Sequence, residues 1–238
     1  MAVDPELARL IALSLEFSAQ TGGAFDITYA SVGYLYDFRA HAHPTDEQIA
    51  SRLDAVDWRH VRVDLEASTV SFARPEVRID LGGIAKGYAV DRAVALLAAR
   101  GIGHASVTAG GDSRILGDRF GRPWLVGIRH PDDPGQVIAR IPLEDAAIST
   151  SGDYERYFDE DGQRFHHIID PGTGKSAGEV RSVTIIGSNA TRTDALSTSV
   201  FVLGPQRGLE LIEKLGDVDA VIVGSDGKVL YSSGLAPP

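Results

Sequence analysis

The sequence predicts an α+β fold of mixed or antiparallel sheets with packed helices. Three observations lead there. Apolar residues at helical spacing are confined to a few segments. Short apolar or alternating runs, bounded by glycine, proline and aspartate turns, recur through the rest. The two kinds of segment interleave without the regular alternation of a βαβ chain, and no internal repeat or clear linker divides them, so one domain is expected over residues 1–238.

Taken in order, Leu7, Leu10, Ile11, Leu15 and Phe17 predict a helix over residues 6–20, stopped by Gly22-Gly23. Residues 24–45 carry Tyr29, Tyr34, Tyr36 and Phe38 without a clear period and close in the polar turn His43-Pro44-Thr45-Asp46. A short helix is expected over 46–55. Val61–Val63 and Thr69–Phe72 read as paired strands, and Val77–Asp80 as a further strand. A helix follows from about Tyr88 to Arg100, with Val90, Val94 and Leu97 on one face and Gly101 just past its end. Ala105–Ala109, Trp124–Ile128, Ala139–Pro142, Phe165–Ile169 and Val183–Gly187 are expected strands. Two helices come next, one over 193–203 and one between Pro205 and Gly216. Ala220–Val223 and Val229–Tyr231 flank Asp226-Gly227 as a hairpin.

Composition narrows the function. The 238 residues carry 33 acidic and 23 basic side chains, a net charge of −10. Phosphate contacts supply most non-specific affinity for nucleic acid, so an acidic surface argues against a general nucleic-acid binder and against docking on anionic lipid. A local basic pocket for a phosphorylated small molecule stays open. With no cysteine there is no disulfide, zinc-thiolate site or thiol nucleophile. No run approaches the ~18 apolar residues of a membrane span. Met1–Glu6 lacks the basic start of a leader, so the chain alone predicts a cytoplasmic protein, although a removed leader would leave the same start. Nothing in the sequence sets an oligomeric state.

Four segments carry candidate chemistry. In Asp80-Leu81-Gly82-Gly83-Ile84-Ala85-Lys86-Gly87 a strand delivers an acid, a double-glycine turn follows, and a lysine stands at a helix start. Paired glycines let backbone approach a ligand, and a helix N-terminus with a lysine favours an anion such as phosphate. The Walker and dinucleotide patterns do not fit, and the same spacing also suits a tight turn with an exposed lysine. In Thr191–Thr198, Asp194 and Thr198 stand i, i+4 on one helix face, where a carboxylate and a hydroxyl can meet a hard cation. Equally, Thr191 can be an N-cap with Asp194 as its capping-box acid.

His166 and His167 are neighbours on an expected strand, so they face opposite sides and cannot chelate one metal without a bulge. One of them can serve as a general base or ligand contact, or stand at a solvent edge. In Ile148-Ser149-Thr150-Ser151-Gly152-Asp153-Tyr154-Glu155 the small hydroxyls can bond a nucleotide or satisfy their own loop, and the loop is the stronger expectation. Neither a Gly-x-Ser-x-Gly elbow nor His-Glu-x-x-His occurs.

Thr21–Asp26, Asp80–Asp91, Ala109-Gly110-Gly111-Asp112, Ile148–Tyr154, His167–Pro171 and Asp194–Thr198, in that order along nearly the whole chain, resemble the FAD:protein FMN transferases, the ApbE family. The resemblance implies an ApbE-like, T-fold-like architecture and a magnesium-dependent phosphoryl-type transfer. FAD is the substrate, its FMN half passes to a threonine hydroxyl of a target flavoprotein, and AMP leaves. It implies that Asp194 and Thr198 hold magnesium, or calcium, through side chains, with the carbonyls of Gly83 and Ser197. Lys86 would face the pyrophosphate. His167 would activate or orient the threonine, with Asp194 assisting. Gly110, Gly111, Asp112, Ser151 and Glu155 would line the FAD pocket, with Asp26 beside them. Two departures stand out: family members carry a longer leading segment, and the usual proline after Asp26 is Ile27. Alternative functions on the same motifs are FAD hydrolysis to FMN and AMP, and a non-catalytic FAD-binding module. The family often works outside the cytoplasmic membrane, which a removed leader would accommodate.

Overall fold

The computed structural model describes residues 1–133 and 135–235. In chain order, α1 (Pro5–Gln20), α2 (Ala30–Gly33) and α3 (Asp46–Leu53) precede the strands β1 (Val61–Asp64) and β2 (Thr69–Phe72). Next come α4 (Ala85–Ala98), β3 (Ala105–Ala109), β4 (Asp112–Leu116), β5 (Trp124–Arg129), β6 (Val137–Leu143) and β7 (Ala147–Gly152). The chain continues with β8 (Tyr157–Glu160), β9 (Gln163–His166), β10 (Val180–Gly187), α5 (Ala190–Leu203), α6 (Pro205–Leu215), β11 (Asp219–Gly224) and β12 (Val229–Tyr231). These form two compact units, one of Met1–Gly83 with Asp153–Gly178, the other of Ile84–Gly152 with Glu179–Pro238. Among the described residues no helix is long and apolar enough to cross a membrane.

In the first unit, α1 opens on Asp4, whose side chain accepts from the Glu6 N–H, and Pro5 fills the first helical position. It buries Ala8, Leu10, Ile11 and Phe17 and ends before Gly22 and Gly23, both at positive φ. Thr45 and Gln48 close a reciprocal capping box on α3. β1 and β2 pair antiparallel, as do β8 and β9. Val32, Tyr36, Ile49 and Ile169 form one buried apolar cluster of this unit. The Tyr36 hydroxyl donates to the Gly174 carbonyl at 2.9 Å. Gly174 sits at φ 69, and a Cβ there would stand 2.7 Å from Ile49 Cγ2.

The second unit is a six-stranded sheet in the order β12-β11-β10-β7-β4-β3, with every ladder antiparallel. A separate ribbon of β5 and β6 closes on the core of Ile115, Ile128, Leu143, Ile148, Ile186 and Val221. Most of α5 is buried, including Asp194, Leu196, Ser197, Val200 and Phe201. Its first N–H groups are capped twice. Asn189 accepts from the Arg192 N–H, and Asp91 of α4 accepts from the Ala190 N–H at 2.9 Å, the Thr191 N–H at 2.7 Å and the Thr191 hydroxyl at 2.6 Å.

The expected α+β class and antiparallel pairing hold, and several local expectations are corrected. Val77–Asp80 is no strand. The Arg78 N–H donates to the Ser31 hydroxyl and the Asp80 N–H to the Ile27 carbonyl, so no ladder claims them. α4 begins three residues before the expected Tyr88, at Ala85, and α5 begins at Ala190 because Asn189, not Thr191, is its cap. That cap also removes the reading of Asp194 as a capping-box acid. Ala147–Gly152 is a central strand instead of a loop. β4 and β8 were not expected. β9 ends at His166 rather than Ile169, because the His167 N–H turns to the Arg156 carbonyl.

Asp91 fixes the start of the helix that bears Asp194. Asp91→Ala should lower the unfolding free energy by about 2 kcal/mol, the cost of a lost cap with its donors left unpaired. Asp91→Asn, which keeps one acceptor oxygen, should lose less. Urea melts of the two variants beside the wild type check the order.

Candidate functional site

The second unit gathers its chemistry where α4 starts, where β3 turns into β4, and along one face of α5. Gly110 and Gly111, at φ 56 and 96, make the two-residue turn between β3 and β4. Two positive φ values in succession suit glycine and the twist of a tight hairpin. The turn delivers Asp112, which is 1% exposed and pairs across to Ser149 of β7. Gly110 lies over the stem of Lys86, whose Cδ would be 3.1 Å from a Cβ at that position.

Lys86 is the second residue of α4. Its ammonium stands 2.9 Å from Asp112 Oδ2 and 2.9 Å from Asp194 Oδ1. The other oxygen of Asp194 accepts from the Gly87 N–H at 3.0 Å. The anion at this helix N-terminus is therefore the protein's own Asp194 carboxylate, held by the Gly87 N–H and the helix dipole. The close approach depends on Gly87, because a Cβ there would run into the Ala190 carbonyl and stand 2.8 Å from Asp194 Cβ.

Hydroxyls continue the site along α5. The Ser197 hydroxyl donates to the Asp194 carbonyl at 2.9 Å and meets the Ser151 hydroxyl at 2.8 Å. Ser151 also lies 3.5 Å from the Thr198 hydroxyl. One turn earlier, Ser149 meets Thr193 at 2.7 Å.

Burial dominates the electrostatics. It pushes the Asp112 carboxyl up to about 6, with the Asp194 charge adding to it and Lys86 opposing. Burial also raises Asp194 above the usual carboxylate range, against the pull of Lys86 and the Gly87 N–H. For Lys86, burial opposes the charged form, but the two carboxylates outweigh it and the net shift is upward.

Among the described residues no group of three or more His, Cys, Asp or Glu side chains converges for a metal. The donors here are carboxylate, hydroxyl and carbonyl oxygens, and the pair of carboxylates already holds one positive charge. That chemistry fits a hard cation that takes its remaining ligands from water or from substrate phosphate oxygens.

The structure thus joins Lys86, Gly110, Gly111, Asp112, Ser151, Asp194, Ser197 and Thr198 in one unit. The other expected residues belong to the first unit. Gly83 is in the turn directly before α4. His167 is half-buried just after β9. Its neighbour His166 is buried and structural. Nε2 donates to the Ala177 carbonyl at 2.6 Å and Nδ1 accepts from the Ile168 N–H. Glu155 is exposed. The Asp26 carboxylate accepts from the Thr28 N–H, the Thr28 hydroxyl and the Trp58 N–H, which ties two segments of that unit together. Burial raises its carboxyl above the usual range, and those hydrogen bonds pull the other way.

Sequence reading missed the parts of Gly87, Ser149, Thr193 and Asp91. A signal for two of them was present: hydroxyls at 149 and 151 keep a strand's period, and those at 193 and 197 keep a helix's.

The ApbE family model matches residues 1–222. The FAD:protein FMN transferase of Treponema pallidum is 36% identical over 99% of this chain and 70% of its own length. That of Rhodobacter capsulatus is 35% identical over 95% of this chain, which spans 44% of it. The crystal structure of the ApbE protein of Thermotoga maritima superposes with a TM-score of 0.91 at 38% identity, covering 98% of this chain and 78% of that one. The flavin transferase ApbE of Vibrio cholerae gives 0.85 at 33% identity, covering 98% and 76%.

Gly87→Ala tests the helix contact on which the site rests. The added methyl has backbone in its way, so α4 must shift from α5, at a cost of about 1–3 kcal/mol. A lower thermal midpoint, with Lys86 no longer ordered on Asp194 in a crystal structure of the variant, is the expected outcome.

Proposed function

The chain belongs to the ApbE family of flavin transferases, and from that premise we propose that it passes the FMN half of FAD to a threonine hydroxyl of a target flavoprotein, with magnesium bound at the site. The observation that carries the reading is the Lys86–Asp112–Asp194 cluster at the start of α4, continued by the hydroxyls of Ser151, Ser197 and Thr198. Phosphoryl transfer asks a protein mainly for positioning and charge neutralisation, and this cluster offers both.

In the reaction the threonine oxygen forms a bond to the FMN phosphorus, the bond from that phosphorus to the AMP oxygen breaks, and AMP leaves with the electron pair. The threonine proton must go to a base. His167 is the proposed acceptor, with Asp194 assisting; for His167 the support is the family pattern. Asp194 and Thr198 would hold the cation by side chains, and the family pattern adds the carbonyls of Gly83 and Ser197. A bound magnesium ion, or calcium, would neutralise pyrophosphate charge and stabilise the leaving group. Lys86 offers an ammonium to the same phosphates. Gly110, Gly111, Asp112 and Ser151 would line the FAD pocket, and Glu155 and Asp26 join that set on the family pattern alone.

The test supplies FAD, magnesium and a flavoprotein with a Ser/Thr-Gly-Ala-Thr-like acceptor. It follows AMP release and flavin fluorescence on the denatured acceptor band. The wild type should label the acceptor, and Asp194→Ala should lose roughly 100-fold or more of the rate. AMP without a labelled acceptor would replace transfer by hydrolysis; tight FAD binding with neither product would leave a binding module. His167→Ala should lower kcat roughly 100-fold with FAD affinity unchanged, as expected for a lost general base.

A further inference from the structure

Asp112 and Asp194 are both deeply buried, their side chains 2% exposed, while Lys86 between them is 41% exposed. Two fixed anions thus share one movable cation. Asp112 is buried on β4, its backbone paired with Ala109 and Ser149, and Asp194 is tied by Oδ2 to the Gly87 N–H. The lysine has a flexible four-carbon stem, and the missing Cβ of Gly110 leaves that stem room to swing.

The oxygen of Asp194 left for a metal is Oδ1, on which Lys86 already sits at 2.9 Å. A magnesium–oxygen bond is about 2.1 Å, so a cation bound to Oδ1 would stand at most about 5 Å from the ammonium. Like charges that close, inside a partly buried site, repel strongly. The ammonium must leave, and its new acceptor would be a phosphate oxygen.

We propose that Lys86 is an internal cation of the site: it holds the place between Asp112 and Asp194 until a divalent cation displaces it, and a pyrophosphate draws off the displaced ammonium. This rests on the reading of Asp194 as a metal ligand. The divalent cation and FAD then bind with positive coupling through this one side chain. By linkage each tightens the other by the same factor. In the absence of nucleotide, metal binding is weakened because it has to expel a charge already in place.

The experiment titrates Mn2+ into flavin-free protein, read by electron paramagnetic resonance, and repeats it with FAD present. The full chain is used as wild type, Lys86→Met, Lys86→Gln and Asp194→Asn. Without FAD, both charge-free variants should bind Mn2+ about tenfold tighter than wild type. FAD should tighten Mn2+ binding in wild type and do so less in the variants. Asp194→Asn should bind Mn2+ poorly throughout.

Lys86 variants that bind Mn2+ no tighter than wild type, while Asp194→Asn loses it, would overturn the displacement and leave the metal site standing. Mn2+ binding indifferent to Asp194→Asn would instead overturn the metal site itself. A check on the wild type needs no variant. Magnesium titration should move the Lys86 Cε resonance in a carbon-13 spectrum, and an unmoved resonance at saturating magnesium would overturn the displacement even if both variants failed to fold.

Discussion

The rest of the second unit depends on the contact between Gly87 and Ala190. At that point two helices approach so closely that no side chain fits between the α-carbon of one and the carbonyl of the other. The approach puts Asp194 within reach of the first-turn N–H groups of α4. Those donors have no intrahelical partner, so an anion placed there replaces lost water with fixed dipoles. It also brings Asp91 of α4 onto the first N–H groups of α5. The two helices thus exchange carboxylates, each giving an acid to the other's N-terminus. Such reciprocity fixes the rotation and the slide of the pair together, which a purely apolar contact does not.

A second constraint follows, because α5 is buried while carrying hydroxyls. Each polar group needs a partner, and the partners come from β7. Four residues of helix rise ~6 Å and two residues of strand ~6.6 Å, so hydroxyls at 193 and 197 meet hydroxyls at 149 and 151 in register. Several serines and threonines of α5 also bond back to their own helix, Ser199 to the Ala195 carbonyl among them. The helix sits in the middle of the unit without unpaired hydroxyls, and its Asp194–Thr198 turn is held from both sides. A strand of Ser-Thr-Ser with such a partner is a core strand, whatever its polarity.

This explains how much could be read from the chain. α1 and α6 were legible because each buries one apolar stripe between recognisable stops; Gly216, at φ 69, closes α6 as its position suggests. The β11–β12 hairpin was legible from Asp226-Gly227 between two short apolar runs. β7 was not, because hydroxyl residues signal a loop until their cross-strand and helical partners are known. The start of α5 was misplaced because Thr191 and Asn189 are both good caps locally. The choice falls to Asn189 once Asp91 has taken the Thr191 hydroxyl, a contact 100 residues apart in sequence. Val77–Asp80 has a strand's residues but not a strand's neighbour. Within the site, the identities and order of the motifs gave Lys86, Asp112, Asp194 and Thr198. What no spacing could give is that Lys86 rests on two acids.

Buried charge of this kind is poor support for stability. Taking two carboxylates out of water costs several kcal/mol for each ion, and well-packed apolar residues would serve the fold as well or better. The fold nevertheless builds a tight glycine turn to place Asp112, a glycine contact to place Asp194, and a solvent-reaching lysine between them. Each device adds a constraint, and together they keep two acids close despite their repulsion. An arrangement that costs stability and recruits two separate backbone features fits the proposed role in holding a ligand. The ligand it suits is one that brings positive charge to the acids and negative charge to the lysine, and a divalent cation on a pyrophosphate brings both.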